Sequence, residues 1–236
     1  MTASAQPGTT HPFAAGLAAA KANLKPGIGL IAFAVALLLA YDQVPEVQAA
    51  LDAVGALKVR SGLLFGLVAT PVFAGVLPAC IERLLRPDEP APPLGHLLAR
   101  LGFWSLGGLQ VDFFYQAQSA VFGDGRSPST LAVKTLVDQM LWVPIWATPS
   151  AVLFFAWNDR RYGRCSYGLR DVFRSPASFR AWYRRRVFPT VLANNVVWTP
   201  AVLVIYSLPP ALQLVVMNLI LCFWSLMLTL LTRDTA

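Results

Sequence analysis

The chain has 236 residues, of which 56% are hydrophobic and only 13% are charged, and its mean hydropathy is +0.55. In a soluble globular domain about a quarter of the residues are charged. A protein of this size also has too little interior to bury so many apolar side chains. The composition therefore excludes an ordinary soluble domain and indicates an integral membrane protein. The formal net charge is +7, and it becomes informative once the basic residues are placed along the chain.

Six apolar segments approach or exceed the length that a helix needs to cross the bilayer, roughly 20 residues. They predict an all-α polytopic transmembrane bundle of about six spans, at 27–41, 61–81, 101–122, 131–157, 187–206 and 211–231. The last two are separated by a Ser-Leu-Pro-Pro sequence, in which proline stops a helix. We expect residues 1–26 to form a flexible amino-terminal segment and residues 27–236 to form a single transmembrane domain.

The distribution of basic residues predicts the orientation of this bundle. If all six segments cross and the amino terminus is cytoplasmic, 15 of the 19 lysine and arginine residues lie on the cytoplasmic side. The positive-inside rule favours this arrangement, in which the loop at 158–186 is also cytoplasmic. The expected location is a bacterial inner membrane or an organelle membrane. The first segment also resembles a signal peptide, but its basic residues begin late, which favours a retained span.

Polar residues inside the predicted spans are the candidate functional residues, because each costs free energy in lipid unless it has a partner or contacts water. Asp112 and Gln116 share one face of the third span, and Lys134 and Asp138, four residues apart in the fourth, are placed to pair. Such residues either line a path for small polar solutes or form hydrogen bonds that hold the helices together. The full set is Asp112, Gln116, Lys134, Asp138, Gln139 and Asn195.

The predicted loop at 158–186 alternates arginine with aromatic residues. Tyr and Trp prefer the headgroup level of a membrane, and each nearby arginine attracts anionic lipid by about 1 kcal/mol. We expect this segment to contact anionic headgroups; docking to another membrane protein or to a second copy of the chain is the alternative, and nucleic acid is not an expected partner. The expected contact residues are Arg174, Arg180, Trp182, Tyr183, Arg184, Arg185 and Arg186.

Signals of enzyme or metal chemistry are weak. The two histidines, His11 and His96, fall outside the predicted spans, and Cys80, Cys165 and Cys222 lack the spacing of metal ligands. No nucleotide-binding, hydrolase or metalloprotease motif is present in the sequence. We predict a protein that is not an enzyme and that has neither a cofactor nor a metal.

From about residue 107 to residue 231 the chain also follows a known series of motifs. Lys134, Asp138, Gln139 and Pro144 form a K-x-x-x-D-Q-x-x-x-x-P block. The flanking residues of the series are Phe114, Tyr115, Phe188, Pro189, Asn195, Pro200 and Trp224. This series resembles the eukaryotic family of the Mpv protein and the 22-kDa peroxisomal membrane protein, which are small polytopic membrane proteins. The tryptophan and glutamine that begin the family's later block are replaced here by Phe188 and Leu192.

The resemblance implies a helical membrane protein of a family that has been regarded as pores for small solutes. We therefore expect a channel or transporter for small polar solutes, in which Asp138→Asn alters conductance or selectivity. The alternative is a non-catalytic accessory or structural subunit of a larger membrane complex, which would explain the loop rich in arginine and aromatic residues. A channel should turn its carboxylates towards a water-filled cavity, whereas a subunit should bury them in hydrogen bonds.

Overall fold

The computed structural model describes residues 12–85, 87, 92–161 and 168–231, and their regular structure is entirely helical. The prediction of an all-α fold is confirmed. In chain order the described helices are α1 (Pro12–Ala22), α2 (Leu24–Gln43), α3 (Pro45–Ser61), α4 (Leu63–Leu85), α5 (Leu94–Phe122), α6 (Pro128–Arg160), α7 (Leu169–Val172), α8 (Pro176–Tyr206) and α9 (Pro210–Leu231).

Four of the described helices, α2, α4, α6 and α8, are long and apolar enough to cross a membrane. The protein is therefore an integral membrane protein, although this number is smaller than the six spans that the sequence predicts. Helix α5 is long enough, with 29 residues, but its polar residues lower its hydropathy. Helix α9 is apolar over Pro210–Leu226, the part of this helix whose side chains the structure describes.

Helix α9 occupies the centre of the bundle, where it contacts α2, α3, α4, α5 and α8. From Leu212 to Ile220 every side chain except that of Leu219 is buried, because neighbouring helices surround this part of α9. The fully enclosed residues of this helix include Leu212, Leu214, Val216, Asn218 and Ile220. This central helix joins the main hydrophobic core, to which α2, α3, α5 and α8 also contribute.

Helix α3 is an element that the sequence analysis does not predict. Its start carries ordinary helix signals, with Pro45 at the first position and Glu46 in the first turn. Its buried residues, Leu51, Gly55 and Lys58, follow the i, i+4, i+7 spacing of one helical face, and a Cβ on Gly55 would lie 2.8 Å from Leu212 of α9. Gly62, which has a φ of 54°, then turns the chain from α3 into α4.

The amino-terminal segment differs from the expectation of a flexible chain. Within residues 12–26 the structure contains α1 and the start of α2, and residues 1–11 lie outside the described part of the chain. Helix α1 packs against α8. Gly16 and Ala20 are buried there, and a Cβ on Gly16 would lie 2.7 Å from Leu192. Small side chains explain why this segment is helical and packed, because they let α1 and α8 approach closely.

Three of the long helices contain a π-helical stretch that includes a proline or lies within two residues of one. These stretches are Val72–Val76 in α4, Asp138–Ala147 in α6 and Tyr183–Val187 in α8. Proline has no backbone N–H, so a carbonyl one turn earlier loses its partner. In α6 the i+5 partner of the Gln139 carbonyl is Pro144, and this carbonyl is therefore free to accept a bond from another helix.

Candidate functional site

A buried ion pair joins α3 to α5. The Nζ atom of Lys58 lies 2.8 Å from Oδ1 of Asp112. Asp112 is 0% exposed and Lys58 is 8% exposed, so neither charge is solvated as it would be at a surface. A buried charge is tolerated when an opposite charge lies beside it. Asp112 is therefore held in the interior by a lysine that the sequence analysis missed.

Lys58 was overlooked because α3 is not an apolar segment. A search for polar residues inside apolar runs finds Asp112, but it treats a lysine outside such runs as part of a loop. The available signal was the position of Lys58 on one face with Leu51 and Gly55. The partner of Lys58 lies on a different helix, α5, and only the fold brings the two together.

A cavity of about 330 Å³ lies against this ion pair, and we call it the ion-pair cavity. Its polar walls come from α3, α5 and α9: Lys58, Asp112, Tyr115, Gln116, Ser119 and Gln213. Gln116 is exposed, whereas Gln213 is buried. Of the six residues predicted to line a pore or to hold the bundle together, Asp112 and Gln116 therefore share one wall of a polar cavity.

Asp138 belongs to a second polar group, beside the ion-pair cavity. It accepts hydrogen bonds from Tyr206 Oη at 2.7 Å and from Gln139 Nε2 at 3.0 Å. Gln118 in turn donates to Tyr206 Oη. The ring of Tyr115, which lines the cavity, packs edge-on against Tyr206 with 5.3 Å between the ring centroids. The two tyrosine rings therefore lie between Asp138 and the ion-pair cavity.

The expected pairing of Lys134 with Asp138 is wrong. Lys134 instead lies 3.6 Å from Oδ1 of Asp124 and donates to Ser119 Oγ at 3.3 Å. The side chain of Lys134 is 2% exposed, whereas that of Asp124, in the turn after α5, is half exposed. The lysine extends towards the carboxyl end of α5, where Ser119 and Asp124 lie, rather than along its own helix. Through Ser119 it reaches the wall of the ion-pair cavity.

Asn195 of α8 binds the backbone of α6. Its Nδ2 donates to the carbonyl oxygen of Gln139 at 3.2 Å. This is the carbonyl whose i+5 partner is Pro144, so Asn195 supplies the donor that the proline lacks. A second bond joins the same two helices, from Tyr183 Oη to the carbonyl of Pro144 at 2.9 Å. The structure thus gives Asn195 a structural contact away from the ion-pair cavity.

The arginine and aromatic residues of the predicted loop divide between the surface and the interior. The side chains of all five arginines are exposed: Arg174, Arg180, Arg184, Arg185 and Arg186. Tyr183 is half-buried. The expected lipid or partner contact of Trp182 is wrong, since this residue is 7% exposed in a small core with Val143, Val172, Val187 and Val191. Packing against valines of α6 and α8 removes the indole from the surface.

Helix α7, which leads into this region, is fixed by Asp171. Its carboxylate accepts hydrogen bonds from the backbone N–H of Gly168 and from Nη1 of Arg160, both at 2.8 Å. The backbone bond from Gly168, with the arginine beside it, lowers the pKa of Asp171 below its usual value. This contact ties the end of α6 to the start of α7.

The described residues contain no group of three or more His, Cys, Asp or Glu side chains that could hold a metal ion. No model of a known protein family, no curated protein and no solved structure matches the chain. The fold and the site together define a helical integral membrane protein with a buried lysine–aspartate pair at the wall of a polar cavity.

Proposed function

We propose that the protein is a channel or transporter for small polar solutes, and that the ion-pair cavity is part of the solute path. The observation that carries this proposal is the Lys58–Asp112 pair, which is buried but borders the cavity. Ionisable residues at membrane depth are expensive and commonly mark substrate or ion pathways. Amides and hydroxyls suffice to hold helices together, so a buried charge pair beside a cavity favours transport.

The charges on the cavity wall define the class of solute. Lys58 supplies an ammonium group and Asp112 a carboxylate, while Gln116, Ser119 and Gln213 add neutral hydrogen-bonding groups. Walls with both charges suit neutral polar or zwitterionic solutes better than ions of one sign. We propose that this conformation is the closed one, because Asp112 is fully buried and its charge is already neutralised by Lys58.

We also propose that all six predicted segments cross the membrane, with the amino terminus in the cytoplasm. Helix α5 packs closely against the apolar helix α4, where a Cβ on Gly66 would lie 2.7 Å from the carbonyl of Gly108. Helix α9 is enclosed by its neighbours, four of which are α2, α4, α5 and α8. Polar residues on α5 can therefore face protein instead of lipid. In this topology the ion-pair cavity lies towards the side opposite the cytoplasm.

From the motif resemblance we propose that the chain belongs to the family of the Mpv protein and the 22-kDa peroxisomal membrane protein. Its most specific residues are joined in space: Asp138 binds Gln139, and Asn195 binds the carbonyl that Pro144 leaves free. Residues that are distant in sequence but share one structural task form a coherent motif. The pore function implied by the resemblance agrees with the solute path proposed from the ion-pair cavity.

The test is the solute selectivity of the purified full chain in liposomes. We expect flux of glycerol and glycine above that of protein-free liposomes. Asp112→Asn leaves Lys58 without its counter-charge and Lys58→Met leaves Asp112 without its own, so each variant should lower the flux of zwitterionic glycine relative to that of neutral glycerol. Asp42→Asn is the matched control, because Asp42 lies on the surface, 3.6 Å from Arg126. Absence of flux, or unchanged selectivity in both variants, would overturn the proposal.

A second candidate, an accessory subunit of a membrane complex, is favoured by the surface near α7 and the start of α8. Five exposed arginines lie there beside Phe173 and Phe179, whose rings stack with 5.9 Å between centroids and are 59% and 41% exposed. In a subunit this surface would contact a partner protein, whereas in the proposed transporter it would contact anionic headgroups. The native mass in mild detergent separates the alternatives: stoichiometric co-purification of other membrane proteins indicates a subunit, and a species of this chain alone favours transport.

A further inference from the structure

A second cavity, which we call the aromatic cavity, lies between α5 and α6 and has a volume of about 490 Å³. Five aromatic side chains contribute to its walls: Phe103, Trp104, Trp142, Trp146 and Phe154. Two of them, Phe103 and Phe154, stack with 4.4 Å between ring centroids. Its volume is within the range of small-molecule sites, roughly 300–1,000 Å³. The cavity contains none of the residues of the proposed solute path.

Two polar groups at this cavity are buried without a hydrogen-bond partner among the described residues. They are the indole N–H of Trp104 and the hydroxyl of Thr70, which is 2% exposed. Both lie near one turn of α5, since Thr70 contacts Gly108 and Trp104 is four residues earlier. An unpaired buried donor costs free energy. Both atoms are covered in this structure, so a ligand with an oxygen acceptor would gain these bonds once the two side chains turn towards the cavity.

The residues that line the aromatic cavity and its opening further restrict the chemistry of the ligand. No charged side chain lines the aromatic cavity, which excludes an ionic ligand by the cost of burying an unpaired charge. Leu106 and Trp146, which also line it, are 58% and 48% exposed on long helices of a membrane protein. The route into the cavity is therefore apolar. Indole rings are electron-rich surfaces on which a flat ring stacks.

We propose that the aromatic cavity binds a neutral, membrane-soluble ring compound that carries a carbonyl oxygen, the chemistry of a quinone head group. The ring stacks among the aromatic side chains, and its carbonyl accepts hydrogen bonds from Trp104 and Thr70. A lipid acyl chain, which also enters from the bilayer, fills the space but cannot accept either bond. This inference is independent of the transport proposal and assigns no chemical reaction to the site.

The test uses the full chain in phosphatidylcholine nanodiscs with tritiated 2,3-dimethyl-1,4-naphthoquinone, and empty nanodiscs are subtracted. This quinone has no free ring position for addition of a thiol, so the free Cys222 beside the cavity-lining Leu221 is not modified. We expect saturable binding at one site per chain. Unlabelled quinone should displace the probe, and 2,3-dimethylnaphthalene, which has the same rings without carbonyls, should compete at least tenfold less well.

Variants assign the binding to the cavity. Trp104→Phe keeps the ring but removes the N–H, and Thr70→Val removes the hydroxyl at nearly constant shape; each should weaken binding roughly five- to tenfold. Trp198→Phe, outside the cavity, is the matched control and should bind as the wild type does. If either variant fails to fold, the other applies the same test. Absence of saturable binding, equal competition by the hydrocarbon, or unchanged affinity in both variants would overturn the proposal.

Discussion

Each member of the Lys58–Asp112 pair depends on the other for its stability. Lys58→Met leaves the Asp112 carboxylate buried without its cation, and breaking a buried pair in this way costs about 3–5 kcal/mol. We expect Lys58→Met and Asp112→Leu to lower the melting temperature in detergent when made singly. The double variant should regain most of the loss, because no unpaired charge then remains.

Thermal unfolding of the four proteins gives the coupling free energy of the pair. Additive losses in the double variant would mean that the two side chains do not stabilise each other. Lys21→Met serves as a control for the loss of one positive charge, because Lys21 is exposed at the end of α1.

Asp171 gives the protein a defined response to acid. Because the Gly168 N–H and Arg160 lower its pKa, folding favours the ionised form of this carboxyl group. Its stabilising contribution is therefore complete above the pKa of the unfolded chain and is lost as the pH falls through the lower pKa of the folded state. We expect the Asp171 carboxyl carbon to titrate below pH 3.8 in ¹³C NMR. Titration at or above that value would contradict the hydrogen bonds.

At the level of the helices, the bond between Asn195 and the Gln139 carbonyl yields a prediction about α6 and α8. Asn195→Val removes the donor and should destabilise the protein by about 1 kcal/mol, near typical values for polar contacts between membrane helices. Pro144→Ala restores a backbone N–H to α6. In that background Asn195→Val should therefore cost less, because the carbonyl has a partner within its own helix.

A double-mutant cycle on unfolding in a denaturing detergent measures this coupling. The neighbouring change Asn194→Val is the control. Asn194 lies on the wall of the aromatic cavity and makes no hydrogen bond to the described residues of α6. Equal costs of Asn195→Val with and without Pro144 would show that the carbonyl is not the important partner.

Sequence periodicity is sufficient to locate the long apolar helices, but it does not predict which side chains of different helices contact each other. Apolar runs locate α2, α4, α6 and α8, and a carboxylate inside such a run makes Asp112 visible. Helix α3 lacks an apolar run, so neither it nor Lys58 was recognised. Lys134 and Asp138 have the spacing of a pair, yet partners on α5 and α8 compete successfully. Spacing along one helix cannot rank contacts that only tertiary packing creates.

For the whole molecule, the number of crossings determines which loops share a side of the membrane. Six crossings place positions 87 and 125 on opposite sides, whereas omission of α5 as a span would place them on the same side. In a variant without native cysteines, we expect Gly125→Cys to react with an impermeant maleimide added outside. Pro87→Cys should react only after permeabilisation. Labelling of both positions from one side would show that α5 is not a span.

The ion pair also has a mechanical consequence. Asn195 and Tyr183 bind α8 to backbone carbonyls of α6, so these two helices resist separation. Helix α3 is different, because Gly62 forms a joint at its end and Lys58 lies one turn before that joint. Rotation of α3 about Gly62 would widen the ion-pair cavity and draw the ammonium away from Asp112. Widening would therefore work against an electrostatic attraction, and in the solute path proposed above a zwitterionic solute that pairs with both charges would lower the energy of the wider state.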